Sequence, residues 1–157
     1  MRVQELMTSM PATCTRESTC AEAARIMWDC DCGSVPVVDE SGRAIGIVTD
    51  RDICMAALFR GAPLSAIAIA EVMSGDLCTC QADDDVKDAE RLMRQRQVRR
   101  LPVVDGSGSL VGILSLGDVA TRVGQAPISR DDKGEGADLL ATIATISEPR
   151  TNGHAHA

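Results

Sequence analysis

Two kinds of hydrophobic pattern alternate along the chain: short β-branched runs, and longer stretches in which apolar positions return every three or four residues. Cys20, Ala23, Ile26, Met27 and Cys30 have the spacing of one helix face, which predicts a helix over Thr19 to Asp31 with that stripe in the core. Val35 to Val38 follows as a strand and meets Asp39-Glu40-Ser41-Gly42, a turn sequence whose glycine is free to take a positive φ. Ala44 to Val48 reads as the returning strand of a hairpin. A second helix is expected from Asp50 to about Arg60. It closes at Gly61-Ala62-Pro63, because glycine favours a left-handed C-terminal turn and proline cannot continue a helix. With a short strand around Thr13-Cys14, the unit reads strand, helix, strand, strand, helix.

The whole pattern then recurs. Val35-Pro36-Val37-Val38-Asp39 returns 66 positions later as Leu101-Pro102-Val103-Val104-Asp105, and the same offset pairs Met7 with Met73, Thr13-Cys14 with Thr79-Cys80, Arg25 with Arg91 and Gly46-Ile47 with Gly112-Ile113. The second copy of the first helix carries Val86, Ala89, Leu92 and Met93 on its stripe. A repeat of this kind sets the fold, so an α+β architecture of two tandem units is expected. Residues 1–66 form the first unit with its linker, 67–124 the second, and 125–157 a C-terminal extension. Within that extension Gln125 to Gly136 reads as a polar loop. Asp138 to Ile146 reads as a helix with Leu139, Leu140, Ile143 and Ile146 on one side, expected to dock on the body or on a partner. Glu148 to Ala157 is expected to be disordered.

Each unit closes on the same motif, Gly46-Ile47-Val48-Thr49-Asp50-Arg51-Asp52 in the first and Gly112-Ile113-Leu114-Ser115-Leu116-Gly117-Asp118 in the second. A buried strand hands over to a helix at the hydroxyl residue. The first-turn N–H groups lack intrahelical partners and, with the helix dipole, attract hydroxyl oxygens or phosphate. Asp52 beside that site would repel a phosphate placed on it but can accept two hydrogen bonds from a vicinal diol such as ribose. Thr49-x-x-Asp52 and Ser115-x-x-Asp118 also fit a variant capping box, in which hydroxyl and acid bond back to the helix start.

Composition narrows the partners. The chain of 157 residues carries a net charge of −7, and Trp28 and Phe59 are its only aromatics. That charge disfavours nucleic acid and anionic membranes, and two aromatics cannot build a base-stacking platform. Its longest purely aliphatic run, Ala66 to Ala70, is far too short to span a bilayer. The absence of an export signal and an odd count of seven cysteines point to reduced thiols and a cytoplasmic protein. Both histidines, His154 and His156, lie in the tail, which leaves no Ser/Cys–His pair in the folded region, and no phosphate-gripping glycine loop or metal constellation is present, so no enzyme is expected. Cys30-Asp31-Cys32 and Cys78-Thr79-Cys80 do not have zinc-site spacing. Cys14, Cys20, Cys30 and Cys80 fall at strand or core positions and read as small buried hydrophobes.

The paired units, with Leu6-Met7 and Val72-Met73 at their openings, the Pro-Val-Val-Asp hairpins and the two Gly-h-x-Thr/Ser-x-x-Asp closings, resemble a pair of CBS domains, named after cystathionine β-synthase, of the small stand-alone type. The likeness covers roughly Val3 to Val123. It implies a pseudo-two-fold disc of two packed sheets with two clefts near the axis, which in that family bind adenosyl compounds such as AMP, ADP, ATP or S-adenosylmethionine. No further cofactor is implied. Carried over by residue, the resemblance assigns Asp52 and Asp118 to ribose, and Thr49 and Ser115 to phosphate or the cap. Val35, Val37, Leu101 and Val103 would flank adenine, and Arg100, with Arg99 beside it, would contact phosphate. Gly33-Ser34 stand where the second copy has Arg99-Arg100, and Leu116-Gly117 where the first has Asp50-Arg51, so the clefts should differ, with Asp52 and Arg100 together making one site.

The expectation is therefore a regulatory module that binds an adenine nucleotide and passes its state to another protein. The alternatives are a ligand-free dimerisation adaptor, in which both motifs are caps only, and a thiol redox partner using Cys78 and Cys80. Trp28 lies off the buried stripe of its helix, which places it at a homodimer contact.

Overall fold

The computed structural model describes residues 1–125 and, beyond them, residues 136, 139, 142, 143, 145 and 146. In the first repeat, helix α1 (Cys20–Asp29) starts at a capping box between Thr19 and Glu22, and strands β2 (Ser34–Val38) and β3 (Ala44–Thr49) form an antiparallel hairpin through Gly42 at φ 77°. Helix α2 (Asp50–Arg60) follows directly and ends at Gly61 in the left-handed conformation, φ 59°. The second repeat copies this with β4 (Cys80–Gln81), α3 (Val86–Arg96), the β5 (Arg100–Val104) and β6 (Leu110–Ser115) hairpin, and α4 (Leu116–Gln125). The expected strand at Thr13-Cys14 is reduced to a single parallel bridge from Cys14 to Val37, the counterpart of the pairing between Cys80 and Val103.

The two repeats are related by a local two-fold. Arg43 pairs with Ser109, its own counterpart, so the axis passes between them. Ala44 N–H bonds to Gly108 at 3.3 Å and Leu110 N–H to Gly42 at 3.0 Å. The repeats also exchange their opening segments. Strand β1 (Thr8–Ser9) adds to β6 of the second repeat, while the equivalent Ser74 pairs with Ile47 of the first. Val3 is buried in the second core, and Ile67 and Ile69 in the first. The motif glycines make this crossing possible. A Cβ on Gly46 would stand 2.9 Å from the Ser74 carbonyl oxygen, and one on Gly112 would stand 3.1 Å from that of Thr8.

Two cores result. One gathers Cys20, Ala23, Met27, Val35, Val37, Val48 and Ile53, the other Val86, Ala89, Met93, Leu101, Val103, Leu114 and Val119. Cys30 departs from its expected core place. Helix α1 ends at Asp29, Cys30 is its C-cap, and Asp31 turns at φ 48°, which carries the cysteine onto the surface. Beyond α4, Leu139, Thr142 and Ile146 are helical and buried, whereas Ile143 is exposed. The buried side is therefore 139, 142 and 146, and not the expected one through Ile143. Thr142 can enter it because its hydroxyl accepts a hydrogen bond from Arg94 Nη1 at 3.3 Å. Gly136, expected at the end of the loop, is helical. Leu140, most of the expected loop and the tail lie outside the described residues.

Candidate ligand site between the repeats

Thr49 ends β3 in extended backbone and caps α2. Its hydroxyl accepts from Asp52 N–H at 3.2 Å, while Asp52 Oδ2 accepts from Thr49 N–H at 2.9 Å and from the Thr49 hydroxyl at 2.7 Å. Ser115 and Asp118 repeat this at α4, at 3.2, 2.7 and 2.7 Å. Both motifs are thus capping boxes, and such a cap contributes about 1 kcal/mol. The ligand role is not used up by it. All of the carboxylate's cap bonds fall on Oδ2, so Oδ1 of each half-buried aspartate remains for a hydroxyl.

Arg100 opens β5 in the second repeat but its guanidinium reaches the first. A methyl placed on Gly33 would stand 3.1 Å from Arg100 Nη2 and 3.1 Å from Asp50 Oδ2. Gly33 in turn holds the helix start, its carbonyl accepting from Asp50 N–H at 3.3 Å. The same turn of backbone that carries Asp52 therefore meets a cation from the other repeat. In the second repeat Arg99 occupies the position of Gly33, and its carbonyl accepts from Leu116 N–H at 2.9 Å. The first junction thus receives a guanidinium from across the axis, whereas at the second the arginine belongs to the same repeat, meets the helix start through its backbone carbonyl, and has an exposed side chain. Sequence reasoning treated Gly33 and Asp50 as departures and helix start only. Their pairing with Arg99 and Leu116 at the repeat offset was the available signal.

Val35, Val37, Leu101 and Val103 are fully buried in the two cores. Their side chains build the sheets, and the structure does not bring them to an open surface. Two hollows lie on the helical sides. One of about 300 Å3 is lined by Asp52, Met55, Phe59, Arg60, Glu71 and Val72, at the lower end of ligand-pocket sizes, which begin near about 300 Å3. Arg60 and Glu71 form an ion pair at its rim. The other, of about 220 Å3, lies against α3 and α4, where Leu6, Asp85, Glu90, Val119 and Arg122 meet. Arg100 lines neither.

The thiols of the proposed redox pair are held away from reactivity. Burial pushes the Cys80 thiol up to about 12 and raises that of Cys78 as well, the opposite of what a nucleophilic thiolate requires. Among the described residues no cluster of three or more His, Cys, Asp or Glu could hold a metal, and no helix is long and apolar enough to cross a membrane.

Comparison with known proteins agrees with this geometry. The CBS domain model matches residues 3–58 and 69–125. The CBS domain-containing protein YhcV of Bacillus subtilis is 41% identical over 118 residues, covering 75% of this chain and 82% of that protein. The inosine-5'-monophosphate dehydrogenase of Methanocaldococcus jannaschii is 29% identical over 133 residues, 85% of this chain but only 26% of the enzyme. Among solved structures, the CBS domain pair of protein MJ0100 in complex with 5'-methylthioadenosine and S-adenosyl-L-methionine superposes with a TM-score of 0.72 at 27% identity, over 79% of this chain and 96% of that one. Two matched copies, a shared axis and the exchanged opening segments leave one conclusion: this chain belongs to the CBS domain family and is a CBS domain pair.

Proposed function

We propose that the protein is a non-catalytic sensor in the cytoplasm that binds an adenosyl ligand, of the class of AMP, ADP, ATP or S-adenosylmethionine, at the junction of its two repeats. The observation that carries this reading is the approach of Arg100, from the second repeat, to Gly33 and Asp50 at the start of the helix that Asp52 caps. Asp52 Oδ1 takes the ribose hydroxyls, the Thr49 hydroxyl stays with the cap, and Arg100 faces the 5' substituent. Asp118, Ser115 and Arg99 form the second junction. The complex of the MJ0100 domain pair with two adenosyl compounds supports this ligand class. Binding passes to an unidentified regulated protein only if the ligand prefers one arrangement of the repeats. The active assembly is a homodimer, supported by Trp28, 86% exposed on α1, and Phe59, 81% exposed on α2.

Titration calorimetry with AMP, ADP, ATP and S-adenosylmethionine tests the reading. Asp52→Ala abolishes binding at the first junction, and Arg100→Ala weakens phosphorylated ligands selectively. Asp52→Ala also removes a helix cap, so Glu22→Ala, which removes the equivalent cap of α1, serves as control. It lowers stability by about 1 kcal/mol and leaves binding alone. If no ligand produces heat or shifts the melting curve, the protein is an adaptor whose motifs are caps only.

A further inference from the structure

The two junctions differ in charge at one position. At the first, Asp50 Oδ1 accepts from Arg51 N–H at 2.7 Å, which turns Oδ2 toward Gly33, where it and Arg100 Nη2 stand at the same 3.1 Å from the space a side chain would fill. The two groups thus converge on Gly33 so closely that even a methyl there would press on both. At the second junction the equivalent of Asp50 is Leu116, which carries no charge, and the equivalent of Gly33 is Arg99.

We infer that Asp50 offsets Arg100 at the first junction, so that this junction loses the preference for a 5'-phosphate that the arginine alone would give and takes a neutral 5' substituent on an adenosyl ligand as readily. This rests on the ligand reading above. A phosphate that reaches Arg100 from outside also meets the exposed carboxylate of Asp50 close by, and their like charges repel, which offsets part of the arginine's attraction. A sulfonium in that position is drawn to Asp50 and repelled by Arg100, and a thioether meets neither effect, so the first junction ranks 5' groups by charge only weakly. The second junction, with Arg99 and without the acid, keeps the ordinary preference for phosphate. The two junctions would thereby differ in how strongly they select a phosphorylated adenosyl ligand.

The test compares AMP with S-adenosylmethionine, which share adenosine and differ in 5' charge, by calorimetry on the full chain. Each protein is titrated with and without Asp118→Asn, which removes the ribose carboxylate of the second junction. Asp50→Asn is expected to tighten AMP and weaken S-adenosylmethionine by about three- to tenfold each, the range for one partly screened charge pair. Asp50→Glu, which keeps the charge, is expected to preserve the wild-type ranking, and a role in folding alone would not separate these variants. If Asp50→Asn changes both affinities in the same direction, or neither, the inference is overturned while the ligand reading stands. If the wild type binds neither compound, both fall, and that outcome is visible before any substitution is made.

Discussion

At the scale of single residues, the fold acts most plainly on its thiols. Cys14 and Cys80 occupy equivalent positions, each the first residue to lie beside the Pro-Val-Val strand of its repeat, and burial pushes their thiols up from 9.0 to about 11 and about 12. Because the folded values exceed the unfolded one, the neutral thiols stabilise the fold fully below pH about 9, and that contribution is lost as the pH rises through 11 and 12. Denaturation midpoints are therefore expected to fall steeply over this alkaline window, and Cys80→Ala is expected to flatten the slope even though it lowers stability at neutral pH. A midpoint independent of pH up to 11 would contradict the burial assigned to Cys14. Labelling by a thiol reagent at pH 8 should modify Cys30, Cys32 and Cys54, which are exposed, well before Cys14, Cys20 and Cys80. Sequence pattern located three of the four supposed core cysteines. It misplaced Cys30 because helical spacing cannot say at which residue the helix stops, and here it stops at Asp29.

At the scale of elements, the exchange of opening segments explains a feature that motif reading alone assigned only to the strand. Gly46 and Gly112 sit where a strand from the other repeat's opening passes over the hairpin, so each is a packing requirement of the crossing. Gly46→Ala drives a methyl to 2.9 Å from a backbone carbonyl that cannot swing aside. The expected cost is about 1–3 kcal/mol, the usual range for overpacking, read as a lower urea midpoint. Gly112→Ala first meets Met7 Sδ, at 2.5 Å, the end of a flexible side chain, but the Thr8 carbonyl at 3.1 Å still limits it. A smaller loss is expected there. Equal and negligible losses at both positions would mean that β1 and Ser74 do not hold these places in solution. The helices, hairpins and turns were legible because periodicity, Gly42 and Gly61 are local signals. Exchange was not, since an offset of 66 pairs Met7 with Met73 but does not say which repeat either one packs against.

At the scale of the whole molecule, the two-fold is broken in a way that bears on assembly. Trp28 on α1 corresponds to Arg94 on α3, and the two meet opposite fates. Arg94 and Gln97 bond to Thr142 and Thr145 of the C-terminal helical segment, whose Leu139 and Ile146 join the second core. The second repeat thus has its helical side partly covered by its own chain. The first has Trp28, Leu58 and Phe59 exposed, and large aromatics in that setting are the kind of residue that anchors interfaces. This asymmetry supports the proposed homodimer and points to α1 and α2 of the first repeat as its interface. Sedimentation velocity is expected to show a dimer at micromolar concentration. Trp28→Glu is expected to convert it to a folded monomer, because the substitution touches an exposed side chain and leaves the core intact. Arg94→Glu is the informative companion: it loosens the C-terminal segment and so lowers stability, but it should leave the dimer in place. A wild-type monomer would remove the dimer outright, and dissociation by Arg94→Glu rather than Trp28→Glu would move the interface to the second repeat, where the chain's own helix would then have to give way to its partner.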